Sequence, residues 1–249
     1  MQQTSPSNIA RIPFLGTQRR DIWWIGPLAT AFGLVVFAAY AVWAAAQGAY
    51  YHVGSYHSPF YPPFSLWQDW PYSPAFLTVW VPAGFRFTCY YFRKAYYRSF
   101  FLTPPACAVG ARPQSYRGER GLLIFQNLHR YFLYLALVFL GFQLYDLYHA
   151  FWFADGFGVG LGTVVMLLDV AFLVAYVFGC NSFRHLIGGN VNCFSCASFG
   201  HQRHQAWKWS SMLNLHHGFW AWISLVWVCL TDLYIRLMAM GYLTDFRIV

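Results

Sequence analysis

The chain has 249 residues, 58% of them apolar and only 10% charged, with 12 Trp, 18 Tyr and 25 Phe. Soluble domains carry roughly 25% charged residues, so this inventory does not furnish a water-facing surface, and the same apolar excess excludes a disordered chain. Six cysteines in 249 residues argue against a disulfide-stapled secreted fold and leave an all-α integral membrane protein, whose net charge of +8 has to be placed.

A helix crossing the hydrocarbon core needs roughly 20 apolar residues. Residues 1–21 read as an N-terminal segment. The first span is Ile22–Ala46, a run with no charge. Gln18-Arg19-Arg20 ahead of it and Ala44-Ala45-Ala46 at its end imitate a signal peptide, but the run of about 25 residues exceeds the 7–15 of a signal core, so a retained anchor is expected. A second span covers about Pro71–Tyr91, with Pro82 inside it and Arg86 near its end. The third runs from Gln126 to His149, the fourth from Val159 to Asn181 with Asp169 near its middle, and the fifth from Leu213 to Leu237. The expectation is a five-helix transmembrane bundle over residues 22–240 and a short tail over 241–249, without an internal repeat or a separate soluble domain.

Basic residues orient such a bundle. Arg11, Arg19 and Arg20 precede the first span; Arg86, Arg93, Lys94, Arg98, Arg112, Arg117, Arg120 and Arg130 lie between the second and third; Arg184, Arg203 and Lys208 lie between the fourth and fifth. Only Arg236 and Arg247 fall on the other side, with Asp69, Asp146, Asp155, Asp232 and Asp245. This places the N-terminus in the cytoplasm and the C-terminus outside. The net charge is thereby a marker of topology, and no nucleic-acid partner is implied.

The same asymmetry holds for groups that bind metals. Cys89, Cys107, Cys180, Cys193 and Cys196 fall at or near the cytoplasmic face, as do His129, His185, His201, His204, His216 and His217. Cys193-x-x-Cys196 with His201 and His204 downstream has the spacing of half a zinc or iron–sulfur site; two incidental, reduced loop cysteines are the equal alternative. A second set is dispersed in sequence but similar in depth: Cys89, Cys107, His129, Cys180, His185 and His217. A di-haem bundle needs four histidines facing one another inside helices, and helices one, two and four have none in their interiors; one haem b between His129 and His217 stays open. The run Cys89-Tyr-Tyr-Phe-Arg-Lys-Ala-Tyr-Tyr-Arg98 serves as an interfacial anchor on anionic lipid, or as a docking surface with a quinone pocket in which Tyr90 and Arg93 donate to a carbonyl oxygen. His52 and His57 are the candidates for a quinone site at the outer face. Asp169 is costly at mid-membrane unless it is paired or faces a polar cavity.

Several segments together resemble one family. They are Thr88–Phe100, Pro104-Pro-Ala-Cys-Ala-Val109, Gln126-Asn-Leu-His-Arg-Tyr131, Cys180-Asn-Ser-Phe-Arg-His-Leu-Ile-Gly-Gly189, Leu213-Asn-Leu-His-His217, Ala221-Trp-Ile-Ser-Leu225 and Thr231-Asp-Leu-Tyr234, with Ser58-Pro-Phe-Tyr61 in the first outer loop. In this order they resemble the membrane-anchor subunit of actinobacterial succinate dehydrogenases over about residues 20–240. The resemblance implies a subunit of the bacterial cytoplasmic membrane. Flavoprotein and iron–sulfur partners would sit on its cytoplasmic face, with room for a small extra membrane subunit. It also implies a Rieske-type [2Fe–2S] cluster held by two cysteines and two histidines drawn from Cys89, Cys107, Cys180, His129, His185 and His217, and a membrane quinone, menaquinone or ubiquinone, as electron acceptor. Haem b is the alternative cofactor, and a purely structural tether the alternative role. Asn181 departs from the family's Cys-His-Ser stretch, and Cys193 and Cys196 remain an alternative ligand pair.

Overall fold

The computed structural model describes residues 13–62, 71–111, 120–189 and 191–249; the charges placed above at Arg11, Asp69, Arg112 and Arg117, and the Arg120 side chain, lie outside what it describes. Among the described residues four helices are long and apolar enough to cross a membrane: α1 (Ile25–Gln47), Asn127–His149 within α4 (Arg120–His149), α5 (Leu161–Phe178) and α8 (His217–Ala239). They coincide with the first, third, fourth and fifth expected spans.

The second expected span is not one helix, and here the sequence-based expectation is corrected. Residues 71–100 form a 3-10 turn at Pro74–Leu77, the nine-residue helix α2 (Trp80–Thr88) and, after a break at Cys89, helix α3 (Tyr90–Phe100). Proline lacks an N–H and is tolerated only in a helix's first turn, so the helix restarts two residues before Pro82. At the other end Thr88 donates its hydroxyl to Gly84 O (2.8 Å), and Cys89 takes an extended conformation, φ −63°, ψ 135°. The broken segment still carries the chain from one end of the bundle to the other. Ser73 lies beside Tyr61 (3.3 Å) at the end that holds Val249, whereas Cys89 meets α8 at its first residue, His217.

The connection after α5 is also helical where a loop was expected. α6 (Asn181–Arg184) leads into a π turn over His185–Gly189, a 3-10 turn at Phe194–Cys196 and α7 (Gly200–Leu215). Polar side chains of α7 satisfy the carbonyls that α5 leaves open at its C-terminus: Ser210 donates to Phe178 O and Asn214 to Gly179 O, both at 2.7 Å. Cys193 and Cys196 are joined in a disulfide. The 3-10 turn brings their Cα atoms to 5.3 Å, within bridging range, and this replaces the reading of a reduced pair.

The opposite end is closed by two short hairpins, β1 (His52–Val53) with β2 (Tyr56–His57) and β3 (Trp152–Phe153) with β4 (Gly156–Phe157), and by two acids, Asp232 buried and Asp245 half-buried. Asp232 accepts hydrogen bonds from Arg236 (2.6 Å), Tyr40 (2.6 Å) and Ser58, and Arg236 donates to Gln47 Oε1, Ala49 O and Ala44 O, each at 2.9 Å. The guanidinium therefore caps the C-terminus of α1, where the helix dipole favours a cation. Asp245 does the reverse at the start of α5, accepting from Gly162 N (2.9 Å), Tyr56 (2.6 Å) and Tyr234 (2.7 Å). Residues 241–249 are thus not a loose tail but a clasp, with Arg247 bridged to Gly160. Burial and the neighbouring His52 push the imidazole of His57 down to about 4, so it stays uncharged through the physiological range.

α2 rests on α4 through Gly84, where a Cβ would enter the ring of Phe132. Gly84→Val is expected to cost about 1–3 kcal/mol, the usual range for overpacking. A lowered melting temperature of the solubilised protein would record it. A fully wild-type melting curve would show that the two helices separate freely.

Candidate Cys–His site

Two helix breaks build the site. Cys89 initiates α3 and Cys180 initiates α6, and the two have nearly the same backbone conformation, φ −63°, ψ 135° and φ −67°, ψ 139°. Each follows the end of a helix in the bundle, so each thiol sits where one helix has stopped and the next presents unpaired N–H groups. Burial pushes the Cys180 thiol up to about 11.

Two histidines meet these thiols. His129 Nε2 lies 3.1 Å from Cys180 Sγ, and His217 Nε2 lies 3.9 Å from Cys89 Sγ. His129 Nδ1 is 3.0 Å from Thr88 Oγ1. Because the Thr88 proton is committed to Gly84 O, this contact assigns Nδ1–H as the donor and leaves the Nε2 lone pair facing the thiol. Fixing the tautomer from behind is how proteins orient a histidine ligand.

All four side chains are buried, Cys89 and Cys180 at 2% exposure, His217 at 3% and His129 at 7%. Aromatic rings seal them. Phe85 stacks on His129 (centroids 4.5 Å apart, 9° between planes), Tyr176 stacks on His217 (5.0 Å, 16°), and Tyr91 meets His217 edge-on at 5.4 Å. Below them Arg86 is buried, donating to Ala221 O and Ser224 Oγ at 3.1 Å with its guanidinium 4.8 Å from the Tyr176 ring.

Of the six ligand candidates, then, Cys89, His129, Cys180 and His217 come together. Cys107 is exposed, with its carbonyl accepting from Arg19, and His185 is exposed on the π turn. Cys193 and Cys196 are tied to each other, and His204 stacks on Phe194 (5.0 Å). Among the described residues no three His, Cys, Asp or Glu side chains converge as a single metal ion requires; the four group instead as two Cys–His pairs.

Beside the site an apolar cavity of about 910 Å³ runs between α1, α2, α3 and α8, lined by Leu34, Ala38, Trp80, Tyr97 and Val228 among others, with Arg86 the charged residue in its wall. Neither quinone candidate lines it. Tyr90 is exposed, and Arg93 is buried one turn into α3. Sequence reasoning missed Arg86 as a site residue, counting it only as topological charge.

Fold and site together define an integral membrane protein that collects two thiols and two imidazoles, sealed by aromatics, at one end of a helical bundle. The chain belongs to the family described as actinobacterial succinate dehydrogenase subunit SdhC, which matches residues 25–241. It is 37% identical to a chain of the Mycobacterium smegmatis Sdh1 complex in the apo form, with a TM-score of 0.83 and 98% of each chain covered. No curated protein matches it. The protein is accordingly a membrane subunit of a succinate dehydrogenase, an oxidoreductase complex.

Proposed function

We propose that Cys89, Cys180, His129 and His217 hold a Rieske-type [2Fe–2S] cluster through which electrons from succinate reach a membrane quinone. The observation that carries this reading is the meeting of two thiols with two imidazoles at the paired helix breaks. A two-iron cluster of this type takes cysteines on one iron and histidines on the other; these four residues supply that count, and binding it would re-pair what stand here as two Cys–His contacts. When bound, the cluster supplies one-electron transfer. The residues supply the rest: Thr88 holds the His129 tautomer, and the stacked rings exclude water. The cavity beside Arg86 suits a quinone, with apolar walls for an isoprenoid tail and a guanidinium to donate to a carbonyl oxygen. Basic residues gathered at this end, including Arg19, Arg20, Lys94, Arg98 and Arg203, favour a cytoplasmic placement and a face on which flavoprotein and iron–sulfur subunits dock.

The purified complex is expected to contain about two irons and two acid-labile sulfides more than its soluble subunits account for, with a Rieske-like electron paramagnetic resonance signal. A haem absorption band in place of that surplus overturns the cluster. No surplus metal of either kind reduces the subunit to a tether.

A further inference from the structure

Asp169 is the ninth of the 18 residues of α5, is 2% exposed, and its Oδ1 has no hydrogen-bond partner among the described residues. Asp146 on α4 is 3% exposed and its Oδ2 is in the same condition, as is the hydroxyl of Thr231 on α8. Buried polar atoms are nearly always paired with protein or water, and carboxylates inside a membrane bundle mark ion or proton paths.

The two carboxylates lie at similar depth. Thr163 donates to Ala150 O (2.8 Å), which sets α4 and α5 level at the C-terminal end of the bundle. Counting inward at 1.5 Å per residue, Asp146 lies about 6 Å below Ala150 and Asp169 about 9 Å below Thr163, so the two carboxylates differ in depth by about 3 Å on neighbouring helices. Further inward Asp169 faces Arg86. Beside Arg86 is a small cavity of about 20 Å³, lined also by Phe85, Leu140 and Tyr176, enough for a water molecule. It shares Pro82, Arg86, Phe139 and Leu173 with the large apolar cavity.

We propose that Asp146 and Asp169 conduct protons from the C-terminal end of the bundle to the quinone reduced beside Arg86. The proposal rests on the quinone reading above. Reduction adds two electrons, delivered from succinate, and two protons, giving a quinol. A proton leaves Asp169 for the reduced oxygen through water beside Arg86, Asp169 is reprotonated from Asp146, and Asp146 from water at the hairpin end.

The test uses the whole complex in liposomes with the soluble subunits facing outward and a pH dye trapped inside. Wild-type turnover with succinate and quinone is expected to alkalinise the lumen. Asp169→Asn should slow quinone reduction by about a hundredfold, the scale of a lost proton-transfer group, and abolish lumenal uptake. Succinate oxidation by a water-soluble dye that accepts from the soluble subunits should be unchanged, which also certifies assembly. Asp169→Glu should restore uptake, and Asp146→Asn should abolish it with Asp169 in place. If the wild type reduces no quinone, the site reading falls and this route with it. If the wild type reduces quinone while Asp169→Asn keeps its rate, or protons come from outside, the route alone is overturned.

Discussion

Cys180→Ala is expected to strip the complex of about two irons and two sulfides and of quinone reduction, while leaving succinate oxidation by a soluble dye at the wild-type rate. Two features make this the strongest effect in the chain. The thiol is 2% exposed, so water does not substitute for it. His129, 3.1 Å away, is left as the lone member of its pair. Thr88→Val, which removes the acceptor for His129 Nδ1–H together with the hydrogen bond to Gly84 O, should be milder, on the scale of the 10–100-fold losses seen when a ligand's supporting hydrogen bond is cut. Cys107→Ala and a Cys193→Ser/Cys196→Ser pair should leave the signal intact. Loss of the signal in either control with retention in Cys180→Ala reverses the assignment.

Asp232→Ala is the second large effect, and it falls on stability. Asp232 and Arg236 are 0% and 1% exposed. Removing the carboxylate strands a guanidinium inside the bundle and leaves Tyr40 and Ser58 without their acceptor. Breaking one side of a buried ion pair costs about 3–5 kcal/mol, a large share of the stability of a protein this size. The expected result is poor accumulation in the membrane and a sharply lowered melting temperature. Replacing both partners with apolar residues of similar volume should recover most of the loss, since the stranded charge, not the missing attraction, dominates the cost. An unchanged melting curve for Asp232→Ala would mean that water reaches Arg236.

Much of this was legible in the residues. Low charge and four long apolar runs locate α1, α4, α5 and α8, and the six dispersed cysteines and histidines contain the four that meet. What hydropathy does not register is backbone geometry. The segment from Pro71 to Tyr91 is apolar enough for a span, yet Pro82 and the Thr88 side chain break it into pieces, and that break is what positions Cys89. A local signal was present and went unread: Cys-x-x-Phe-Arg occurs at Cys89–Arg93 and again at Cys180–Arg184, at both helix breaks. The Cys193-x-x-Cys196 spacing was the sharper motif by rule and holds a disulfide instead, because spacing alone does not distinguish a ligand pair from a bridgeable one. Asp232 and Arg236 stand four apart on one helix face, a visible pair, but their role in capping α1 depends on a helix nearly 190 residues distant in sequence.

Few residues of α1 are fully buried, though Leu34, Phe37, Tyr40 and Ala41 pack on the core between its ends. Its buried residues are Pro27 near one end and Ala44 and Ala45 at the other, and its middle, Leu34 to Ala41, forms one wall of the large cavity. Under the proposed quinone reading, a molecule dissolved in the bilayer reaches Arg86 sideways, beneath a helix, without crossing water. The quantity that governs its supply is mole fraction in lipid, not molarity in the surrounding buffer. Half-saturation values for such a molecule will scale with the amount of membrane in the assay, and two preparations with identical proteins will differ whenever their lipid content does.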